Sequence, residues 1–315
     1  MAADDAQTLV GPNDTYRLDA TIGGKGKYGG IRRATALSTG RKVSVKSLDK
    51  YGTALPELLR KLRDIHHKGV APVVDIFVGT DGRLHVVRDF IDGIDLKSIF
   101  TDKPLYRRID EHKFLDAGCA VLEALSAVHA AGIIHRDVKP SNIVIPLSEG
   151  QSPAEADFTQ AVLIDFEQCA PFPDLSGVRS AFALVYSPPE MLLKYNSLVG
   201  PWSDLFALSV ALFQLVMGKA PYTDCNPEIL VNLQLTYPMH QPARMADDLF
   251  ACLSRAAYKH PFRLPPRRLN QEEIEQTLRL GIQGRYQSAD DMLRDLRNVR
   301  EPFKHVNWFI RTFGE

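Results

Sequence analysis

The sequence predicts an α+β chain folded as two lobes, a small antiparallel β-sheet lobe with one main helix followed by a larger, mostly helical lobe. Three observations carry this expectation. The residue pattern changes once, near Gly93, from short β-type runs separated by Gly and Asp turn signals to long stretches with helical periodicity. A glycine-rich string lies between two of the β-type runs, whereas a dinucleotide fold would follow it with a helix. The length of 315 residues, with 45% hydrophobic and 24% charged composition, suffices for one large domain or two lobes around a cleft.

The β-type runs fall at 16–22, 30–35, 42–48, 73–78 and 84–90, and one helix interrupts them at 54–65. Beyond Gly93 the clearest helix spans 111–129, where Phe114, Ala117, Val121, Leu122, Leu125 and Val128 recur at three- and four-residue intervals. Ala131-Gly132 should end it. A second helix, 204–217, is apolar nearly all round and belongs in the centre of a lobe. The expected organisation is a polar extension at 1–15, a domain at 16–300 divided into lobes 16–91 and 92–300, and a tail at 301–315. The proline-rich stretch 237–270 either docks a partner or connects its neighbours, and connection is the favoured reading.

Lys plus Arg equals Asp plus Glu at 38 each, so no global field points to nucleic acid or anionic lipid as a partner. The local basic runs, such as Arg32-Arg33, read as solvated faces. No window approaches ~20 uninterrupted apolar residues, and the acidic start lacks an apolar core, so neither leader nor membrane anchor is expected. Four scattered cysteines without a C-x-x-C pair argue against structural zinc and for reduced thiols in a cytoplasmic protein.

Gly24-Lys25-Gly26-Lys27-Tyr28-Gly29 reads G-x-G-x-x-G, with Ile31 two residues beyond. Alone the string is weak, because such glycines also make ordinary turns. Here a strand follows and leads to Lys46 in Val43-Ser44-Val45-Lys46. Backbone N–H groups lying over a triphosphate need glycines, and a cation on a rigid strand can face its phosphates.

The most specific string is His135-Arg136-Asp137-Val138-Lys139-Pro140-Ser141-Asn142, placed between an amphipathic helix and the apolar run 143–145. It resembles the catalytic loop of eukaryotic-type protein kinases, in the Lys-Pro form seen in Ser/Thr kinases. The resemblance implies a bilobal protein kinase-like fold that binds ATP and Mg. It assigns Asp137 as the base for the substrate hydroxyl and Lys139 as the γ-phosphate contact. Asn142, and Asp165 in Val162-Leu163-Ile164-Asp165-Phe166, would be the metal ligands. Gly24, Gly26 and Gly29 would cover the phosphates that Lys46 faces. Adenine would lie between Ile31 and Ser44 above and Val144 below, with backbone contacts from Asp89 to Ile91.

The likeness spans about 16–299. Pro188-Pro189-Glu190, Ser203-Asp204 and Gly218-Lys219-Ala220-Pro221-Tyr222 resemble further motifs, and Arg285 is the expected partner of Glu190. Arg136 is placed to grip a phosphate on Ser176 or Ser180, or is simply packed within its motif.

Four positions depart from the family. Glu167 replaces the glycine of D-F-G. The residue nine before His67 is Leu58, so the acid expected to pair with Lys46 is displaced to Glu57, about 100 degrees around the helix. Arg88 opens the hinge where an uncharged side chain is usual, and its guanidinium should pair with Glu167 or Glu57, or else snorkel out to solvent beside the hinge. Phe182-Ala183 replaces a Gly-Thr pair. An active Ser/Thr protein kinase acting on protein substrates is the leading expectation, with a regulatory partner protein conceivable. A nucleotide-binding scaffold is the alternative, and a small-molecule phosphotransferase fits Lys139-Pro140 less well.

Overall fold

The computed structural model describes residues 7–26, 29–174 and 183–304, with backbone alone for 20–26 and 29. Lys27, Tyr28, Ser176, Ser180 and Phe182 lie outside the described residues. The N-terminal lobe is one antiparallel sheet of β1 (Thr8–Val10), β2 (Thr15–Gly26), β3 (Gly29–Ala36), β4 (Lys42–Leu48), β5 (Val73–Val78) and β6 (Leu84–Asp89), in spatial order β1-β2-β3-β4-β6-β5. One expected boundary differs in its structure: Thr8–Val10 pairs with Thr15–Arg17 as an edge strand, so part of the polar extension belongs to the sheet. Helix α1 (Leu55–Arg63) packs beneath it through Leu55, Leu58, Leu59 and Leu62, all buried. Pro56 at its start and Arg60, Lys61 and Arg63 in its last turn suit the two ends of the helix.

A short connection leads to β7 (Gly93–Asp95) and the second lobe. Gly93 has no alternative there, because a Cβ would stand 2.3 Å from the Ile145 carbonyl oxygen. Helices α2 (Leu96–Thr101) and α3 (Lys103–Tyr106) each begin on an aspartate, Asp95 and Asp102, that caps a backbone N–H. The long α4 (Glu111–Ala130) follows, and Gly132, at φ 72°, turns the chain out of it. Two small sheets then carry the chemistry-bearing loops. Strand β9 (Ile143–Pro146) pairs with β7 and with β10 (Val162–Leu163), and β8 (Ile133–Ile134) pairs with β11 (Ala170–Pro171).

Helices α5 (Pro189–Leu192), α6 (Pro201–Met217), α7 (Pro227–Thr236), α8 (Asp247–Ala256), α9 (Gln271–Gln283) and α10 (Ala289–Arg297) complete the lobe. As its all-round apolarity predicts, α6 is buried along almost its whole length. It begins three residues earlier than the sequence suggests, at Pro201, whose fixed φ suits a first helical turn. The stretch 237–270 contains α8, and Phe262 packs against the cluster of Leu198, Leu278 and Ile282, so this segment adds to the core as well as connecting. No helix among the described residues is long and apolar enough to cross a membrane.

Candidate active site

The site lies at the junction of the two lobes. Lys46 sits in the middle of β4, opposite Ile31 on β3 and Val86 on β6, so the sheet register fixes its base. Its Nζ donates to Asp165 Oδ1 at 2.7 Å and stands 3.0 Å from Glu167 Oε2. Asp165 follows β10 with φ 69°, a left-handed conformation that a non-glycine residue adopts only when its surroundings enforce it. Burial alone would raise the Asp165 pKa, but the Lys46 ammonium and Arg88 guanidinium outweigh it and hold the carboxyl below its ordinary value.

The catalytic-loop residues are organised by a buried aspartate. Asp204, in the first turn of α6, accepts the backbone N–H groups of His135 at 2.9 Å and Arg136 at 2.8 Å, and lies 2.8 Å from His129 Nε2. Burial pushes its pKa up, and these partners more than reverse the shift. The motif reading noted Asp204 without giving it this role; a lone carboxylate in an otherwise apolar helix was the available signal. His135 accepts the Asp137 N–H at Nδ1, 3.2 Å, which leaves Nε2 to donate to the Ile164 carbonyl at 3.1 Å.

Lys139 Nζ donates to Asp137 Oδ2 at 2.5 Å, and Asn142 Nδ2 donates to the same oxygen at 3.0 Å and to the Asp137 carbonyl at 2.8 Å. The Ile164 N–H donates to the Asn142 carbonyl at 2.9 Å, so the loop and the segment bearing Asp165 are tied on both sides. Asp137, Lys139, Asn142, Asp165 and Lys46 therefore form one contiguous set.

The remaining expected positions fall on two sheets and the connection between them. Gly24 and Gly26 lie in β2, and Gly26 faces Gly29 where β3 begins. Ile31 and the buried Ser44 belong to β3 and β4, while Val144 lies on β9, opposite Val162 and Asp95. Asp89 ends β6, with its N–H donating to the Pro72 carbonyl at 3.0 Å and its carboxylate engaged by Arg41. Ile91 falls in the connection to β7.

Two expectations are corrected. Glu57 does not reach Lys46: its side chain is 65% exposed and pairs with Arg60 on its own helix, because the inward-facing position is Leu58. Arg88 pairs with neither glutamate. Its Nε donates to Ser44 Oγ at 3.0 Å across the β4–β6 ladder, its Nη1 is buried without an acceptor, and Asp165 is the charge that partly offsets its desolvation. Glu167 is instead committed to Lys46.

Two buried ion pairs frame the site. Arg285 Nη1 donates to Glu190 Oε1 at 2.8 Å, as the motif spacing predicts, and Ser203 Oγ donates to the same oxygen at 2.7 Å. Arg136 Nη1 donates to Asp174 Oδ2 at 2.9 Å; the sequence reading missed Asp174, which no motif singles out. The Ala183 carbonyl accepts from Ser187 Oγ at 2.9 Å.

A lysine on a sheet strand, an aspartate at a neighbouring strand end and a loop aspartate bonded by a lysine and an asparagine define a phosphoryl-transfer type of site. Residues 16–261 match the family described as Protein kinase domain, and the chain belongs to that family. It is 27% identical over 277 residues to the SNF-related serine/threonine-protein kinase of Homo sapiens, covering 82% of this chain and 32% of that protein. To the serine/threonine-protein kinase PAK 4 of Homo sapiens it is 31% identical over 231 residues, covering 70% of this chain and 36% of that protein. Identity to the serine/threonine-protein kinase Pkn1 of Myxococcus xanthus is 29% over 220 residues, covering 67% of this chain and 30% of that protein. The chain thus spans about a third of the length of these relatives.

Proposed function

We propose that the chain transfers the γ-phosphoryl group of ATP to Ser or Thr hydroxyls of protein substrates, with residues 16–300 as the catalytic unit of a cytoplasmic enzyme. The observation that carries this reading is the tie between the Asp137 loop and the Asp165 segment, made by two hydrogen bonds on either side of Ile164. Such a tie fixes a base and a metal ligand relative to each other before substrate arrives, which is what positioning catalysis requires.

Asp137 Oδ2 is occupied by Lys139 and Asn142, and no donor to Oδ1 is present among the described residues. Oδ1 is therefore the oxygen that accepts the substrate hydroxyl's proton, while the two donors fix the orientation of the carboxylate. Lys139 then lies beside the transferring phosphoryl, and Lys46 holds the non-transferring phosphates. Asp165 and the Asn142 amide oxygen suit Mg²⁺, a hard cation that prefers oxygen ligands, and the cations around Asp165 favour its ionised form. Held by Asp165 and Asn142, such an ion would supply positive charge to offset what develops on the phosphoryl oxygens. An open groove of about 420 Å³, lined by Val185, Gln214, Tyr222 and Leu230 among others, offers room for a polypeptide substrate.

The displaced Glu57 argued for a nucleotide-binding scaffold, but Lys46 has an acid from another segment, which favours turnover. Autophosphorylation and transfer to a generic protein substrate test the reading, with Asp137→Asn and Lys46→Met as controls. Expected is magnesium-dependent transfer reduced at least about 10²-fold by Asp137→Asn. Nucleotide binding without any transfer by the unsubstituted chain would favour the scaffold.

A further inference from the structure

We propose that Glu167 is the positioning residue for Lys46, so that the lysine is set by the metal-ligand segment and not by helix α1. This rests on the phosphoryl-transfer reading for its consequence, but not for the contact itself.

The argument begins with charge. Two cations, Lys46 and Arg88, and two carboxylates, Asp165 and Glu167, meet at the back of the cleft. The Glu167 side chain is only 6% exposed, and its Oε2 has no hydrogen-bond partner of good geometry apart from lying 3.0 Å from Lys46 Nζ. A carboxylate withdrawn this far from water requires a cation, and Lys46 is the cation within ion-pair distance. Helix α1 offers nothing in exchange, since it turns Leu55, Leu58, Leu59 and Leu62 inward and Glu57 outward.

The segment carrying Glu167 is held firmly enough to act as a support. Phe166 packs on the His135 ring at a centroid distance of 4.5 Å, and the Cys169 N–H donates to the Phe166 carbonyl at 3.0 Å. Immediately after Cys169, β11 pairs with β8, next to the loop that carries Asp137. Glu167 is thus fixed on a short turn whose neighbours touch the same loop as Asp137.

Its effect on chemistry follows from competition. Lys46 Nζ is shared between Asp165 at 2.7 Å and Glu167 at 3.0 Å. Removal of the Glu167 charge would leave Asp165 as the sole carboxylate for both cations, and Lys46 would stay closed on Asp165 Oδ1, keeping that oxygen from a metal ion and the ammonium from the phosphates. Placement of Lys46 and placement of Asp165 become a single event on one segment. A rotation of α1 would not break the Lys46 pair, so control of this enzyme falls to residues 165–174.

The test combines a double-mutant cycle on the unfolding equilibrium with turnover measurements. Glu167→Gln keeps size and shape, and Lys46→Met keeps the aliphatic stem. The two changes should be non-additive by about tenfold in the unfolding constant, whereas Lys46→Met and Glu57→Gln should add. In transfer assays Glu167→Gln should lower kcat about 10- to 100-fold with KM for ATP moved less than about threefold, and Glu167→Asp should recover part of the loss. Glu57→Gln should match the unsubstituted chain. Additivity of Lys46→Met with Glu167→Gln, or an equal kcat loss in Glu57→Gln, overturns the assignment. A coupled cycle in a chain that transfers no phosphate supports the ion pair while sinking the kinase reading.

Discussion

Arg136 Nη1 donates to Asp174 Oδ2 at 2.9 Å, and both side chains are almost wholly buried. Arg136 also has φ 67°, and its backbone N–H is taken by Asp204, so the residue is locked at three points. Asp174 thus occupies the guanidinium that the resemblance expects to grip a phosphate on Ser176 or Ser180.

The expected outcome is activity that does not need phosphorylation of that segment. Ser176→Ala with Ser180→Ala should leave transfer within about twofold of the unsubstituted chain. Asp174→Ala should destabilise the fold by about 3 kcal/mol, because it strands a buried guanidinium. Denaturant unfolding of both variants, with a rate measurement on each, checks this.

Arg285 and Glu190 make the second buried pair, and Arg285 is used twice, since its Nε also donates to the Tyr258 carbonyl at 2.8 Å. The guanidinium further lies 4.9 Å above the Phe206 ring. Arg285→Met should cost about 3–5 kcal/mol. Arg285→Lys should restore little of it, because a point-like ammonium cannot serve two separated acceptors and a ring. Urea midpoints for the two variants decide the matter.

What was legible in the sequence and what was not follows from how local each signal is. The strand bearing Lys46, the loop bearing Asp137 and the strand that precedes Asp165 are each announced by residues within a few positions of one another. The Glu190–Arg285 pair spans 95 residues but is announced by two motifs. The partner of Lys46 was misassigned because spacing along α1 reports a helix face, whereas the acid arrives from a separate segment. Asp174 was missed because its importance depends on the path of the chain after β11, which no periodicity encodes. Arg88 was recognised as unusual, but a hydroxyl partner such as Ser44 is not foreseeable from charge matching alone.

Lys259 supplies a pH dependence. Burial, reinforced by the nearby Arg285 charge, lowers its pKa to about 6. The ammonium would also sit 3.9 Å over the Tyr222 ring, an attraction of about 2 kcal/mol at most, and loss of hydration prevails. Between about pH 6 and the ordinary lysine value of 10.5, the unfolded chain binds a proton that the folded chain does not. Stability from this group therefore rises with pH across that window, and the penalty is complete below about 6. Lys259→Met should flatten the curve and raise stability by about 1–4 kcal/mol at the acid end. Unfolding free energies at pH 6, 7.5 and 9 in both proteins provide the comparison, and parallel curves would contradict it.

Arg88 closes the back of the cleft with a charge that its surroundings satisfy only in part. Its Nε has Ser44, its Nη1 has no acceptor, and the net effect of burial is to lower its pKa despite Asp165. Such a group costs stability, yet it also helps Lys46 hold Asp165 below its ordinary pKa. Arg88→Met should therefore separate the two effects. The unliganded fold should gain about 1–4 kcal/mol, since an apolar side chain of similar length fills the same space without desolvating a charge. The Asp165 carboxyl should lose one of its two cations and titrate higher, so that magnesium-dependent nucleotide binding weakens first at acid pH. Because the Asp165 shift is a depressed one, its contribution is present above the unfolded carboxylate value and fades as pH falls through the folded value. Calorimetric affinity for Mg-ADP from pH 6 down through the ordinary carboxylate value of 3.8 reads the change directly: the acid limb should begin at higher pH in Arg88→Met, and coincident limbs would show that Arg88 has no electrostatic hold on Asp165.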